Sequence, residues 1–196
     1  MNSQRESARL ELHDLLAERA FTFGDFVLAS GRRSTFYFDG RQVTLHARGL
    51  HLVAALILDR CRELKVDAVG GLTLGADPIV AAVAALSGSD GGRPINAFIV
   101  RKAAKDHGTG RQIEGPVLVP GMRVALVDDT TTTGSSYLIA AAAVAPIGVE
   151  IVEAIAIVDR NEGAREALLE QGMKLHSLFT RHDFAAPKSG PLLTKP

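Results

Sequence analysis

Residues 124–136 read V-A-L-V-D-D-T-T-T-T-G-S-S, an apolar run that leads into two carboxylates, a hydroxyl-rich turn, a glycine and the start of an apolar helix. In an open α/β sheet, ligands settle outside the carboxyl ends of the strands, and this strand end concentrates groups suited to an anion and to sugar hydroxyls. The amides and hydroxyls of Thr130, Thr131, Thr132, Thr133, Gly134, Ser135 and Ser136 suit a phosphate. A turn that opens a helix points unpaired N–H groups and a positive dipole end outward. Asp128 and Asp129 do not suit that phosphate; two carboxylates beside an anion site match ribose hydroxyls or a hydrated Mg²⁺. A phosphorylated sugar satisfies both halves. The same residues also read as an ordinary turn whose Asp, Ser and Thr cap the next helix. Four β-branched threonines in a row weigh against that, being poor turn formers with no evident core to fill. There is no G-x-x-x-x-G-K-[ST], and no G-x-G-x-x-G follows a strand, which disfavours nucleoside triphosphate and dinucleotide sites.

Three further groups could serve such a ligand. Residues 101–119 form a long polar insertion in which Arg101, Lys102, Lys105, His107 and Arg111 concentrate positive charge and Gly108, Gly110 and Gly115 permit mobility. It reads as a loop able to close over a polyphosphate, or as a solvated surface loop. Residues 70–75 begin with a glycine pair directly after an apolar strand, which lets backbone approach anionic oxygens closely or simply makes a tight turn. Asp77 reads as the cap of the helix opened by Pro78. Arg160, after another strand, offers a planar fork for a carboxylate, although an Arg at a strand end is more often a surface charge. Thr132 can add a hydroxyl there, and Phe36 and Tyr37 read either as base contacts or as lid core.

The elements that must position these groups follow from periodicity. Residues 5–19 carry apolar side chains at helical spacing, with Ala20 continuing the series. Residues 26–28 and 35–38 read as two short strands around S-G-R-R-S, outside the main sheet and able to form a lid. Helices are then expected at 46–62, 76–86, 135–145 and 164–171, alternating with strands at 68–71, 96–100, 124–127, 151–158 and about 175–179. Such alternation argues for an α/β fold, a mostly parallel sheet covered by helices on both faces. At 196 residues, 46% of them hydrophobic, the chain is expected to form one domain. About residues 1–45 would supply an N-terminal helix and hood, 101–119 a mobile loop and 185–196 a poorly ordered tail. Lys plus Arg and Asp plus Glu number 22 each, so overall charge gives no footprint for nucleic acid or an acidic membrane surface. The single Cys61 lies in an apolar helical pattern and reads as a small buried hydrophobe. With a polar N-terminus and no stretch of transmembrane length, the expected location is the cytoplasm.

Residues 124–136 resemble the phosphoribosyl diphosphate (PRPP) motif of type I phosphoribosyltransferases: a hydrophobic strand, two acidic residues, two variable positions, then Thr-Thr-Gly and Ser or Thr. Residues 98–115, F-I-V-R-K-A-A-K-D-H-G-T-G-R-Q-I-E-G, are similar to the catalytic loop of the orotate phosphoribosyltransferase family. Residues 69–82 resemble that family's pyrophosphate-binding loop and following helix, and residues 30–40 and 158–163 (V-D-R-N-E-G) match further segments. The likeness runs from about residue 23 to 179. It implies the type I phosphoribosyltransferase fold and transfer of a 5-phosphoribosyl group from PRPP to orotate, with release of pyrophosphate. On that basis Lys102, Lys105, His107, Asp128 and Asp129 are the catalytic candidates. Arg101 joins them and the 130–136 turn in holding PRPP. Gly71, Leu72 and Thr73 are assigned to pyrophosphate, and Thr132 and Arg160 to orotate. Mg²⁺ is the implied cofactor, held mainly by PRPP and waters, with no dedicated protein metal site. A homodimer sharing the loop across its interface is the implied assembly. In many family members a lysine precedes S-G-R, whereas Ala29 stands here; Arg32 and Arg33 are candidates to compensate. The alternatives are a phosphoribosyltransferase for another base and a PRPP-binding regulator.

Overall fold

In the computed structural model, which describes residues 2–27, 33–103 and 112–184, the protein is built around a six-stranded sheet in the order β5–β4–β3–β6–β7–β8. Strands β3 (Ala68–Leu72), β4 (Asn96–Val100), β6 (Arg123–Thr131), β7 (Glu150–Asp159) and β8 (Leu175–Thr180) run parallel. The two-residue β5 (Ile113–Glu114) returns antiparallel beside β4 at one edge. Parallel strands covered on both faces must be apolar throughout, and β3 is buried at every position.

Side chains alternate between two cores, as the two-residue period of a strand requires. Val69, Val127, Ile155 and Ile157 face a core with Leu12 and Leu16 of α1 (Asn2–Arg19), Leu52 and Ile57 of α3 (Ala47–Glu63) and Ile79 of α4 (Asp77–Ser89). Ala68, Leu126 and Ala156 face Tyr137 and Ala140 of α5 (Ser135–Val144) and Leu168 of α6 (Ala164–Glu170). Helix α3 is capped by the His46 ring, which accepts from the Gly49 N–H at 3.2 Å. Cys61 is buried in α3, as its pattern suggests, and burial pushes its thiol up to about 12.

The hood is a separate two-stranded antiparallel sheet, β1 (Phe21–Val27) with β2 (Arg33–Phe38). Its first strand begins at Phe21, earlier than the pattern predicts, because Phe21, Phe36 and Phe38 form a continuous aromatic face seated on the body; the Phe21 and Phe38 rings stand 4.9 Å apart. A one-turn helix α2 (Arg41–Thr44) links hood to body. Ala29, Arg32 and residues 185–196 lie outside the described residues.

Two other departures from the sequence expectations touch the site. Strand β6 does not stop at Val127. Asp128, Asp129, Thr130 and Thr131 continue it, with Thr130 paired to Val158 and Thr131 to Asp159. The β-branched pair thus fills a half-buried strand, the setting its stiff side chains favour. The polar insertion is also shorter than its composition suggests, because Ile113 and Glu114 rejoin the sheet.

Candidate active site

The site begins where β6 runs out. Asp128 is only 7% exposed, and its Oδ1 accepts from the Asp129 N–H at 3.0 Å. Asp129 Oδ1 accepts from the Thr130 N–H at 2.8 Å. Burial pushes the Asp128 carboxyl up to about 7, the neighbouring Asp129 charge adds to that, and the Ser136 hydroxyl pulls the other way. Burial also raises Asp129, against the Thr130 N–H and the positive charge of Arg41. A buried acid pair short of cations seeks hydroxyl donors or a cation.

Two distant glycines wall this pair. A Cβ at Gly40 would lie 2.6 Å from Asp129 Oδ2. One at Gly75 would collide with Asp128 Oδ1 and stand 2.8 Å from Asp129 Oδ1. The exit of the hood, the loop after β3 and the end of β6 therefore meet at the carboxylates. Arg41 is tied to Asp39 at 2.9 Å and acts electrostatically on Asp129. Gly40 and Arg41 were not expected as site residues, and Gly75 entered only as the end of the 70–75 segment, without a contact to the acid pair. An Asp-Gly before an Arg reads locally as a turn, and nothing in the sequence marks a contact with a residue some ninety positions away.

The turn beyond β6 leads into α5 through Gly134, which has φ 81° and whose Cβ would press on Leu168 at 3.1 Å. Only glycine enters that left-handed conformation without cost. No side chain caps α5, so the amides of its first turn remain available to an anion. Thr132, Thr133, Ser135 and Ser136 stand around this opening. Thr130 and Thr131 belong to the sheet: the Thr130 hydroxyl donates to Val158 O at 3.3 Å, and Thr131 is buried.

Gly70 and Gly71 are inside β3, and their missing side chains make room for the Phe98 ring and for Val127 O and Ala76 respectively. The missing side chains serve packing inside the strand, where the sequence left open a tight turn or close approach to an anion; Leu72 ends the same strand. Thr73 N donates to Val100 O at 2.8 Å, and the Thr73 hydroxyl donates to Asp77 Oδ2 at 2.8 Å. Asp77 thus braces the loop from the first residue of α4 and does not cap the helix, whose N-cap position is Ala76.

Arg160 follows β7, and its N–H donates to Thr131 O at 3.0 Å. Its side chain is 13% exposed, with Nε 3.0 Å from Glu162 Oε1 and the guanidinium 5.0 Å from the centre of the Phe36 ring. It thereby bridges the strand beside the acid pair and the hood. At the other edge, Arg101 N donates to Gln112 O at 2.8 Å, Gln112 Nε2 donates to Arg101 O at 3.0 Å, and Arg101 stands 3.5 Å from Glu114. The chain therefore leaves and re-enters the sheet at one point. Lys102 is exposed at the start of that excursion; Lys105, His107 and Arg111 lie outside the described residues. No group of three or more His, Cys, Asp or Glu side chains able to hold a metal occurs among the described residues.

A parallel sheet whose central strand ends in an acid pair and an uncapped helix is the architecture of a phosphoribosyl transferase domain, and the model of that domain family matches residues 41–168. An orotate phosphoribosyltransferase of Corynebacterium glutamicum is 45% identical over 182 residues, covering 93% of this chain and 96% of that protein. The crystal structure of Mycobacterium tuberculosis orotate phosphoribosyltransferase with Fe(III) dicitrate superposes with a TM-score of 0.80 at 41% identity, covering 91% of this chain and 99% of that one. The same enzyme in complex with PRPP gives 0.75 at 39%, covering 90% and 98%. The chain belongs to the orotate phosphoribosyltransferase family.

Proposed function

We infer that the protein transfers the 5-phosphoribosyl group of PRPP to orotate, giving orotidine 5′-phosphate and pyrophosphate in the synthesis of UMP. The observation that carries this reading is the position of Arg160: one strand from the acid pair, hydrogen-bonded through its backbone to Thr131, and set against the hood. A guanidinium there meets the carboxylate that distinguishes orotate from uracil and the purines.

In this reading the uncapped start of α5, with Thr132, Thr133, Gly134, Ser135 and Ser136, holds the 5-phosphate, Thr130 and Thr131 contributing backbone. Asp128 and Asp129 take the ribose hydroxyls and fix C1 relative to the incoming nitrogen. Gly71, Leu72 and Thr73 flank the diphosphate. As the bond from C1 to the diphosphate oxygen breaks, both electrons leave with the diphosphate, while the orotate nitrogen gives its electron pair to C1 and its proton passes to solvent or the departing diphosphate. Arg101, Lys102, Lys105 and His107 would stabilise that charge and, once folded over the ligand, would exclude water from the ribosyl centre. The hard oxygen donors of Asp128 and Asp129, buried and short of cations, fit a hydrated Mg²⁺ carried in with PRPP. A cation held there would supply charge neutralisation to the diphosphate. The chain acts as one domain, in a homodimer whose loop residues reach the partner's site, and works in the cytoplasm. Among the described residues no helix is long and apolar enough to cross a membrane.

The test is product analysis with PRPP, Mg²⁺ and a panel of bases. Pyrophosphate and orotidine 5′-phosphate are expected with orotate alone. Equal use of uracil or a purine would overturn the acceptor assignment, and PRPP binding without turnover on any base would leave a sensor in place of an enzyme.

A further inference from the structure

Arg160 is carried by a turn with two acids in it, and the two have different employments. Asp159 is buried, and its Oδ1 accepts from the Asn161 N–H at 2.8 Å, closing the turn through Asn161 at φ 55°. Asparagine is among the residues that tolerate this left-handed conformation. Asp159 Oδ2 lies 3.6 Å from Arg165 on α6, so the acid next to Arg160 in sequence is committed away from it. Glu162 supplies the counter-charge: its Oε1 stands 3.0 Å from Arg160 Nε, with the two side chains 20% and 13% exposed.

Charge rather than an aligned hydrogen bond joins that pair. Arg160 Nε is enclosed and makes no hydrogen bond among the described residues, although the Glu162 oxygen is within ion-pair reach. An acceptor carboxylate cannot approach an enclosed nitrogen, so it has to use the two terminal nitrogens of the fork. The guanidinium would then lie between two carboxylates, one built in and one brought by the ligand. A largely buried cation compensated in advance gains less from a second anion than a bare one does, and the two like charges repel across it. Orotidine 5′-phosphate keeps the carboxylate of orotate, so whatever strengthens acceptor binding at this fork also holds the product.

We propose that Glu162 sets the affinity of Arg160 for the carboxylate of acceptor and product, weakening it so that orotidine 5′-phosphate can leave. This rests on the assignment of Arg160 to the acceptor carboxylate. The variant is Glu162→Gln, which keeps length and shape and removes the charge; Glu162→Ala is held in reserve. Binding is measured by calorimetry without PRPP, for orotidine 5′-phosphate and for uridine 5′-phosphate, which differ only in the carboxylate. Glu162→Gln should bind orotidine 5′-phosphate about three- to tenfold more tightly than wild type and uridine 5′-phosphate within about twofold of it. In steady-state transfer, KM for orotate should fall while KM for PRPP stays within about twofold.

Unchanged or weaker binding of orotidine 5′-phosphate by Glu162→Gln overturns the proposal, weaker binding being the mark of an acid that merely braces the fork. Equal tightening of both nucleotides overturns it as well. Should Glu162→Gln not fold, the ratio of the two affinities in Glu162→Ala decides alone, and a ratio no higher than that of wild type overturns the proposal. Wild-type protein that binds orotidine 5′-phosphate no better than uridine 5′-phosphate sinks the acceptor reading together with this proposal. A wild-type preference for orotidine 5′-phosphate that Glu162→Gln leaves unaltered sinks this proposal only.

Discussion

Replacing Asp128 by Asn should stabilise the ligand-free protein at neutral and alkaline pH while ending phosphoribosyl transfer. The Asp128 carboxyl is buried and its pKa pushed from 3.8 to about 7, first by burial and then by Asp129. Its folded-state pKa lies above the unfolded value, so the stability it contributes is fully present below about pH 4 and is lost as pH rises through 7. At about 1.36 kcal/mol per pH unit, the interval from 3.8 to about 7 sets a ceiling of about 4 kcal/mol on that loss. Asparagine retains an oxygen for the Asp129 N–H but carries no charge. Allowing roughly half the ceiling for rearrangement around Ser136 and for the coupling to Asp129, about 2 kcal/mol should remain above pH 7. For a chain of this size that corresponds to a rise in Tm of about 4–8 °C. The assay is calorimetric melting of both proteins without ligand between about pH 4.5 and 8.5, alongside pyrophosphate release. The advantage of the variant should grow up to about pH 7 and then level off. A variant less stable than wild type at pH 8, or a difference that does not change with pH, would refute the claim that the fold holds this carboxylate at a cost. PRPP with Mg²⁺ should stabilise the wild type and not the variant.

Four further outcomes are expected. Arg160→Ala should raise KM for orotate and leave PRPP binding largely intact; equal loss of both affinities would count against the assignment. Gly40→Ala, at a backbone φ of −60° that alanine tolerates, should weaken PRPP use through its Cβ 2.6 Å from Asp129 Oδ2, and an unaltered KM for PRPP would show that the hood exit yields freely. Lys105→Ala should lower kcat by roughly 10²–10³ with a smaller effect on PRPP affinity, and PRPP with Mg²⁺ should slow proteolysis between residues 101 and 111. Mixing inactive Asp128→Asn/Asp129→Asn chains with inactive Lys105→Ala chains should restore about a quarter of wild-type activity, since about half of randomly paired dimers are mixed and each holds one sound site. Confirmed subunit exchange without recovery would mean that each chain uses its own loop.

The parallel sheet was legible because a strand buried on both faces must be apolar throughout, and β3 falls at Ala68–Leu72, within one residue of its expected bounds. The end of β6 was not, because Asp-Asp-Thr-Thr has the composition of a turn and its pairing with β7 is a tertiary contact. Strand β5 was invisible for a different reason: two residues cannot display a period. In the candidate site, the acid pair and the hydroxyl-rich turn stood out by residue type and order, whereas Arg160, locally a surface charge, was marked only by the resemblance of V-D-R-N-E-G. The glycines could be located but not interpreted, since Gly70 and Gly71 make room for neighbours in the sheet while Gly75 and Gly40 press on the carboxylates.

The aromatic inventory gives the protein a built-in pair of optical reporters. It has no tryptophan and two tyrosines, and these occupy opposite surroundings. Tyr37 sits on the hood, 46% exposed, whereas Tyr137 is enclosed in α5 with its hydroxyl donating to Ile155 O at 2.8 Å. A collisional quencher such as acrylamide reaches the first ring and not the second. Burial raises the Tyr137 pKa far above the ordinary phenol value, so the tyrosinate absorbance of that ring should appear only when alkali opens the core. Emission from the unlabelled chain therefore separates movement of the hood from loss of the core.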